Sequence, residues 1–135
     1  MHRRGADVTA SDVHPLARQF LARNVLLNGL APLAFHRGDW ATGDGDLGRF
    51  GLLVGSDVLY ERDHAKALAA FVERHATGQA EVIIIDPNRG HRSAFRRAME
   101  AHDFEGAVVA APTTSFGGVA FRGQILTFRR MSPAP

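Results

Sequence analysis

Glu81-Val82-Ile83-Ile84-Ile85-Asp86 is four β-branched residues in a row, closed by an aspartate. Continuous apolar runs of this kind suit strands buried on both faces, as in parallel sheets covered by helices. Three other runs end the same way. Val8-Thr9-Ala10 leads to Asp12, and Leu33-Ala34-Phe35 leads through His36-Arg37-Gly38 to Asp39. Leu52-Leu53-Val54 leads to Asp57. In open α/β sheets, ligands bind just beyond the carboxyl ends of the strands. Four acids at four such ends suggest one acidic rim able to receive hydroxyls, amino groups or a cation. Each acid taken singly also reads as an ordinary strand stop and turn former.

The 135 residues suit one domain, with enough chain for one real core. Sixteen basic residues against fourteen acidic ones leave a net charge of +2. With the two signs interspersed, the composition gives little support for nucleic-acid binding. There is no cysteine, which excludes disulfides and thiolate metal sites. The seven histidines show no pair four apart on one face with a third ligand, so no metal is expected. No apolar run approaches the ~20 residues that span a bilayer, and Met1-His2-Arg3-Arg4 opens no secretory signal. A soluble, cytoplasmic protein without membrane contact is the expectation.

Strand and helix signals alternate. A helix is expected over residues 14–27, with Pro15 in its first turn and Leu16, Phe20 and Leu27 on one stripe. Gly29 stops it. A strand over 33–40 follows, then a loop over 41–49 that holds Gly43-Asp44-Gly45. Residues 52–60 form a strand running into a turn. Asp63 caps a helix over 64–76, with Leu68, Phe71, Val72 and His75 inward and Gly78 at its end. After the strand 81–86 comes a loop, Pro87-Asn88-Arg89-Gly90, and a helix over 92–102 with Phe95 and Met99 inward. Two closing strands, 107–111 and 124–129, flank the Gly117-Gly118 region, and residues 132–135 form a frayed tail. This pattern argues for an α/β fold with a mostly parallel sheet and an antiparallel edge.

Gly55-Ser56-Asp57-Val58-Leu59-Tyr60-Glu61 is the sharpest motif. It resembles the strand-four motif of class I S-adenosylmethionine (SAM) methyltransferases. More narrowly, it resembles the lysine-methyltransferase-like branch, whose bacterial members are often labelled nicotinamide N-methyltransferase-like. Asp12 with His14-Pro15, the pair Asn24 and Asn28, Gly38-Asp39-Trp40 and Asp86-Pro87-Asn88-Arg89 follow that family's order from residue 5 to about residue 130. The resemblance implies a Rossmann-like fold and SAM as cofactor. It implies Asp12 as the ribose-binding acid and Asp39 with Trp40 beside the adenine. Ser56 becomes the small residue that lets the cofactor approach, and Asp57 with Tyr60 face the transfer site. Asn88 and Arg89 would meet the substrate.

A SAM methyltransferase of this kind also needs a first strand and a Gly-rich turn, which have no counterpart in the chain. Residues 1–6 resemble the end of the first helix, so the sequence resembles an N-terminally truncated member that lacks its first βα unit, whose strand would be central in the sheet, between strands two and four. A fragment of a longer enzyme and a short form that dimerises or exchanges a segment are both compatible with this. The functions implied are methyl transfer to a protein lysine or small amine, or a non-catalytic interaction module. A nucleic-acid face built on Arg92, Arg96 and Arg97 is a third reading, against which those residues form a solvated helix face.

Overall fold

The structure is a computed structural model that describes residues 1–40, 47–61, 63–111, 115–116 and 119–131. Gly43-Asp44-Gly45, Gly117-Gly118 and residues 132–135 lie outside them. The chain forms two compact units, Met1–Leu47 and Gly48–Pro135.

The first unit is a βαβ element. A single 3-10 turn, His2–Arg4, closes on Gly5 in the left-handed region at φ 78°. Strand β1 (Thr9–Asp12) and strand β2 (Ala34–Arg37) pair in parallel, with Thr9 opposite Ala34 and Asp12 opposite Arg37. Helix α1 (Ala17–Leu27) joins them and starts three residues later than its apolar spacing predicts. Local bonds occupy those residues instead: Asp12 Oδ1 accepts the His14 N–H at 2.7 Å, and His14 Nδ1 accepts the Leu16 N–H at 3.2 Å. The helix ends where expected. Gly29 takes φ 63°, its N–H bonds the Leu26 carbonyl, and the Leu30 N–H reaches back to the Val25 carbonyl. That is the double bond pattern of a glycine-terminated helix.

The apolar stripe expected on α1 is not covered. Leu16, Phe20 and Leu27 are exposed, Phe20 by 61%, and Val25 is the helix residue that is buried. Two four-residue strands offer too little surface to cover a full helical stripe.

The second unit carries the main core. It runs β3 (Phe50–Ser56), α2 (His64–His75), β4 (Ala76–Asp86), α3 (Arg92–Glu100) and β5 (Glu105–Ala110). A short hairpin, β6 (Ser115–Phe116) and β7 (Val119–Ala120), precedes β8 (Gln124–Met131). The sheet order is β3-β4-β8-β5. Strands β3 and β4 are parallel, whereas β8 runs antiparallel to both β4 and β5. The sheet is therefore mixed, which corrects the expectation of a mostly parallel one. The last strand does not sit beside β5 at the edge alone. It inserts between β4 and β5 and pairs with both.

Burial in β4 alternates: Ala80, Val82, Ile84 and Asp86 are buried, while Ile83 and Ile85 are half-buried. The apolar run is thus sealed on one face only. Its buried residues stand opposite Phe128 and Leu126 of β8, which are also buried. Leu68, Val72 and His75 of α2 and Phe95 and Met99 of α3 supply the cover, close to the periodicity of the sequence. Phe71 is only half-buried. Gly78 does not stop α2. The helix passes straight into β4 at Ala76, and His75 Nδ1 bonds the Gly48 carbonyl at 2.9 Å.

Two contacts lock the open end of β8. The Arg130 guanidinium lies 4.6 Å from the centre of the Phe104 ring, pairs with Glu73 and donates to the Thr77 carbonyl at 3.1 Å. Phe128 meets Phe95 edge-to-face at 5.3 Å. Gly106 of β5 lies against the same ring: a Cβ there would stand 2.5 and 2.6 Å from two Phe128 carbons. The ring is buried and in contact with Phe95, so it has little space into which to retreat. Gly106→Ala should therefore destabilise the second unit by about 1–3 kcal/mol through overpacking. Urea unfolding measures this, and an unchanged midpoint would show that the ring has room to move.

Candidate functional site

The carboxyl ends of the two parallel pairs hold the candidate residues in two groups, one in each unit. In the first unit Asp12 ends β1, and Asp39 and Trp40 follow β2 beyond the same end of the pair. Asp12 is exposed, and Asp39 and Trp40 are half-buried. Asp12 performs the turn role, with Oδ1 on the His14 N–H, and its carboxylate stays open to solvent. Asn28, matched to the helix after strand two, has a local role: its Nδ2 donates to the Asn24 carbonyl at 2.8 Å, and its Oδ1 accepts Arg3 Nη2 at 3.0 Å.

In the second unit Ser56 is the last residue of β3 and is exposed. Asp57 follows in the left-handed region at φ 54°, and its N–H crosses to the Ile85 carbonyl of β4 at 2.9 Å. Non-glycine residues seldom take this conformation, and aspartate is among the few that do so at modest cost. Leu59 is fully buried and anchors the turn, which leaves Tyr60 half exposed. Tyr60 meets His64 edge-on at 4.4 Å, and His64 stands 3.2 Å from Glu61.

Asp86 departs from the expected rim. It is 1% exposed and cannot face a ligand from the surface. Pairing with Gln124 of β8 places it inside the sheet, and Arg92 stands over it with Nε 3.7 Å from Oδ2. Its other oxygen, Oδ1, accepts the Arg89 N–H at 3.2 Å. Solvent thus reaches Asp12, which is exposed, and in part Asp39 and Asp57, while Asp86 holds the loop after β4 in shape.

That loop presents Arg89, preceded by Asn88 at φ 77°. The guanidinium bridges back to the β3 end: Nε donates to Asp57 Oδ1 at 2.9 Å and Nη2 to Oδ2 at 2.7 Å. This two-point pair was not anticipated from the sequence. Its signal was present all the same, as opposite charges following two strands that the βαβ pattern makes neighbours. The hydrogen bond from Arg89 holds the Asp57 carboxyl below the usual aspartate value of 3.8; it outweighs the opposing effect of burial, and the Arg89 charge adds a smaller lowering of its own. The same bond raises Arg89. Of the candidate arginine face on α3, Arg96 pairs with Glu100 at 3.0 Å and Arg92 lies over Asp86. Two of its three charges are therefore partnered within the chain.

Among the described residues, no helix is long and apolar enough to cross a membrane. No family model and no curated protein matches the sequence. Solved structures do match in fold. One reported for the conversion of a disulfide bond into a thioacetal group during echinomycin biosynthesis shares 19% identity at a TM-score of 0.77, covering 98% of this chain and 71% of its own. A methyltransferase from Pyrococcus furiosus shares 12% identity at a TM-score of 0.71, covering 93% of this chain and 64% of its own. The magnesium protoporphyrin IX methyltransferase from Synechocystis, solved with bound SAM, shares 24% identity at a TM-score of 0.66, covering 96% and 62%. The chain has the α/β fold of the SAM-dependent methyltransferases and spans roughly three fifths to three quarters of these proteins' lengths.

A depressed folded-state pKa means that the Asp57–Arg89 pair supports the fold above the unfolded aspartate value, about pH 4. Its contribution is lost as pH falls through the lower folded value. An NMR titration of the Asp57 carboxyl carbon should give a midpoint below 3.8. Arg89→Gln should return it towards that value, and a midpoint insensitive to Arg89 would mean the pair is not formed in solution.

Proposed function

We propose that this chain is the cofactor-binding fold of a SAM-dependent methyltransferase, acting on an amine such as a protein lysine or a small molecule. The observation that carries the reading is that each unit holds one parallel strand pair, β1–β2 or β3–β4, with solvent-accessible acids at its carboxyl end, in a fold shared with methyltransferases. The donors fit parts of the cofactor. Asp12 is an exposed carboxylate able to accept ribose hydroxyls. Trp40 offers a large, partly open aromatic face for the adenine, and Asp39 beside it can accept from the exocyclic amine. Ser56 is small and exposed at the end of β3. SAM would supply an activated methyl group, and the protein would hold the acceptor in line with it. Asp57 and Tyr60 are the residues we assign to the acceptor. The described residues show no Gly-rich turn after a strand for the methionine portion.

This division of the site sets the expected affinity. The 135-residue chain should bind SAM weakly or not at all by calorimetry, and a chain extended upstream by a strand and a Gly-rich turn should bind. Micromolar binding by the shorter chain would overturn the view that part of the pocket is missing. In the binding form, Asp12→Ala should reduce affinity about ten- to a hundredfold, the loss expected for hydrogen bonds to a charged acceptor. An unchanged dissociation constant with folding intact would leave Asp12 its turn role alone.

A second reading, an interaction module, is favoured by the exposed apolar surface. Strand β3 pairs with β4 on one side and with no described strand on the other. It carries no charge or proline, and Leu52 and Val54 are exposed, Val54 by 52%. Unguarded edges of this kind invite pairing with another chain. A homodimer or segment exchange is accordingly part of the proposal. Sedimentation at low micromolar concentration should show a dimer that Val54→Lys weakens. A sharp monomer with cooperative unfolding and no binding of hydrophobic dye would remove the edge argument.

A further inference from the structure

The Asp57–Arg89 pair has three properties that seldom coincide. It is bidentate, with both bonds shorter than 3 Å. It remains open to water, with side-chain exposures of 49% for Arg89 and 42% for Asp57. Both of its ends spring from fixed backbone. Asp57 is held in the left-handed region by its N–H bond to Ile85, and Arg89 follows the left-handed Asn88 with its N–H on buried Asp86. The backbone therefore aims both groups, while the charges themselves stay accessible.

A structural ion pair gains little from such exposure, since water and salt weaken it. A displaceable one requires it. The Asp57 carboxylate presents both oxygens to a planar cation, and Tyr60 stands half exposed three residues further along the same turn. A half-exposed aromatic face can itself attract an ammonium or guanidinium group. Arg89 already fills the carboxylate with the chain's own guanidinium.

We infer that Arg89 is a built-in competitor for Asp57: an incoming acceptor places its own basic group on the carboxylate by displacing the Arg89 side chain. The inference rests on the assignment of Asp57 to the acceptor side of the site. It makes Arg89 a specificity-determining residue. A neutral or acidic group gains nothing by opening the pair, whereas a cationic group exchanges one charge-assisted bond for another. Such a filter penalises weak cations, because any ligand of a partly blocked site binds with an affinity reduced by the open fraction. An exposed pair of this kind imposes a factor of about two to five.

The test needs no cofactor, so its outcome is separate from whether the chain binds SAM. The full chain, with the Asp57 carboxyl carbon and the Arg89 Nε–H observed by NMR, is titrated with n-butylammonium, methylguanidinium, acetate and isobutanol. Both cations should shift the two signals together, releasing Arg89 as they occupy Asp57. In Arg89→Gln their midpoints should fall about two- to fivefold, and Asp57→Asn should abolish the response. Arg89→Lys, which keeps the charge but not the two-point geometry, should lie between. Acetate and isobutanol should leave the pair closed. Cation midpoints that stay constant or rise in Arg89→Gln would overturn the inference. So would acetate binding that tightens in Asp57→Asn, because Arg89 would then be the recognition group and Asp57 its mask. Amide spectra of each variant establish that the sheet is intact, and either outcome can be read with the lysine variant alone.

Discussion

The second unit depends on the pairing of β4 along both of its edges. Eleven residues, Ala76–Asp86, meet β3 in parallel on one side and β8 in antiparallel on the other. A strand this apolar leaves no good alternative for its N–H and C=O groups once buried, since each unpaired group would carry a full desolvation penalty. Both ladders must therefore form together. Ala80, Val82 and Ile84 then fall on one face against α2 and α3, and Asp86 is drawn into the sheet at its far end. Everything at the candidate site of this unit follows from where that strand stops. Its last carbonyls hold the Asp57 backbone, and its buried carboxylate shapes the loop that carries Arg89.

Local chemistry was legible in the sequence. The run Val82–Ile85 with its terminal aspartate named a strand correctly, and Gly29 named a helix end correctly, because each depends on neighbours within a few residues. Phe95 and Met99 were found inward by their helical spacing. What could not be read was set by partners far along the chain. The insertion of β8 beside β4 joins residues such as Val82 and Phe128, and no local pattern separates it from a simple edge hairpin. The burial of Asp86 has the same origin, since it is paired with Gln124 of β8. The stripe of Leu16, Phe20 and Leu27 had correct spacing, but periodicity identifies a face and not whether anything covers it.

The candidate site shows the same division. The placement of Asp12, Asp39, Ser56 and Asp57 at strand ends was visible as soon as the strands were, because an acid after an apolar run needs no further information. The roles were less visible, since an acid at a strand end can serve a turn, a partner or a ligand. Asp12 serves a turn through one oxygen, Asp86 serves the interior, and Asp57 serves Arg89. The three apparently equivalent positions separate only when their surroundings are known. The deciding quantity is access to water: Asp12 is exposed, Asp57 is partly exposed and Asp86 is buried.

The sheet order β3-β4-β8-β5 has a consequence for the order of events during synthesis. The strand that joins β4 to β5 is the last of the described elements to leave the ribosome. Until Gln124–Met131 emerges, β4 exposes one apolar edge and β5 has no partner in the sheet. Late, long-range pairing of this sort slows folding and lengthens the time for which sticky strands are available to other molecules. The nascent chain therefore passes through an interval in which the β4 edge that β8 later covers stands open.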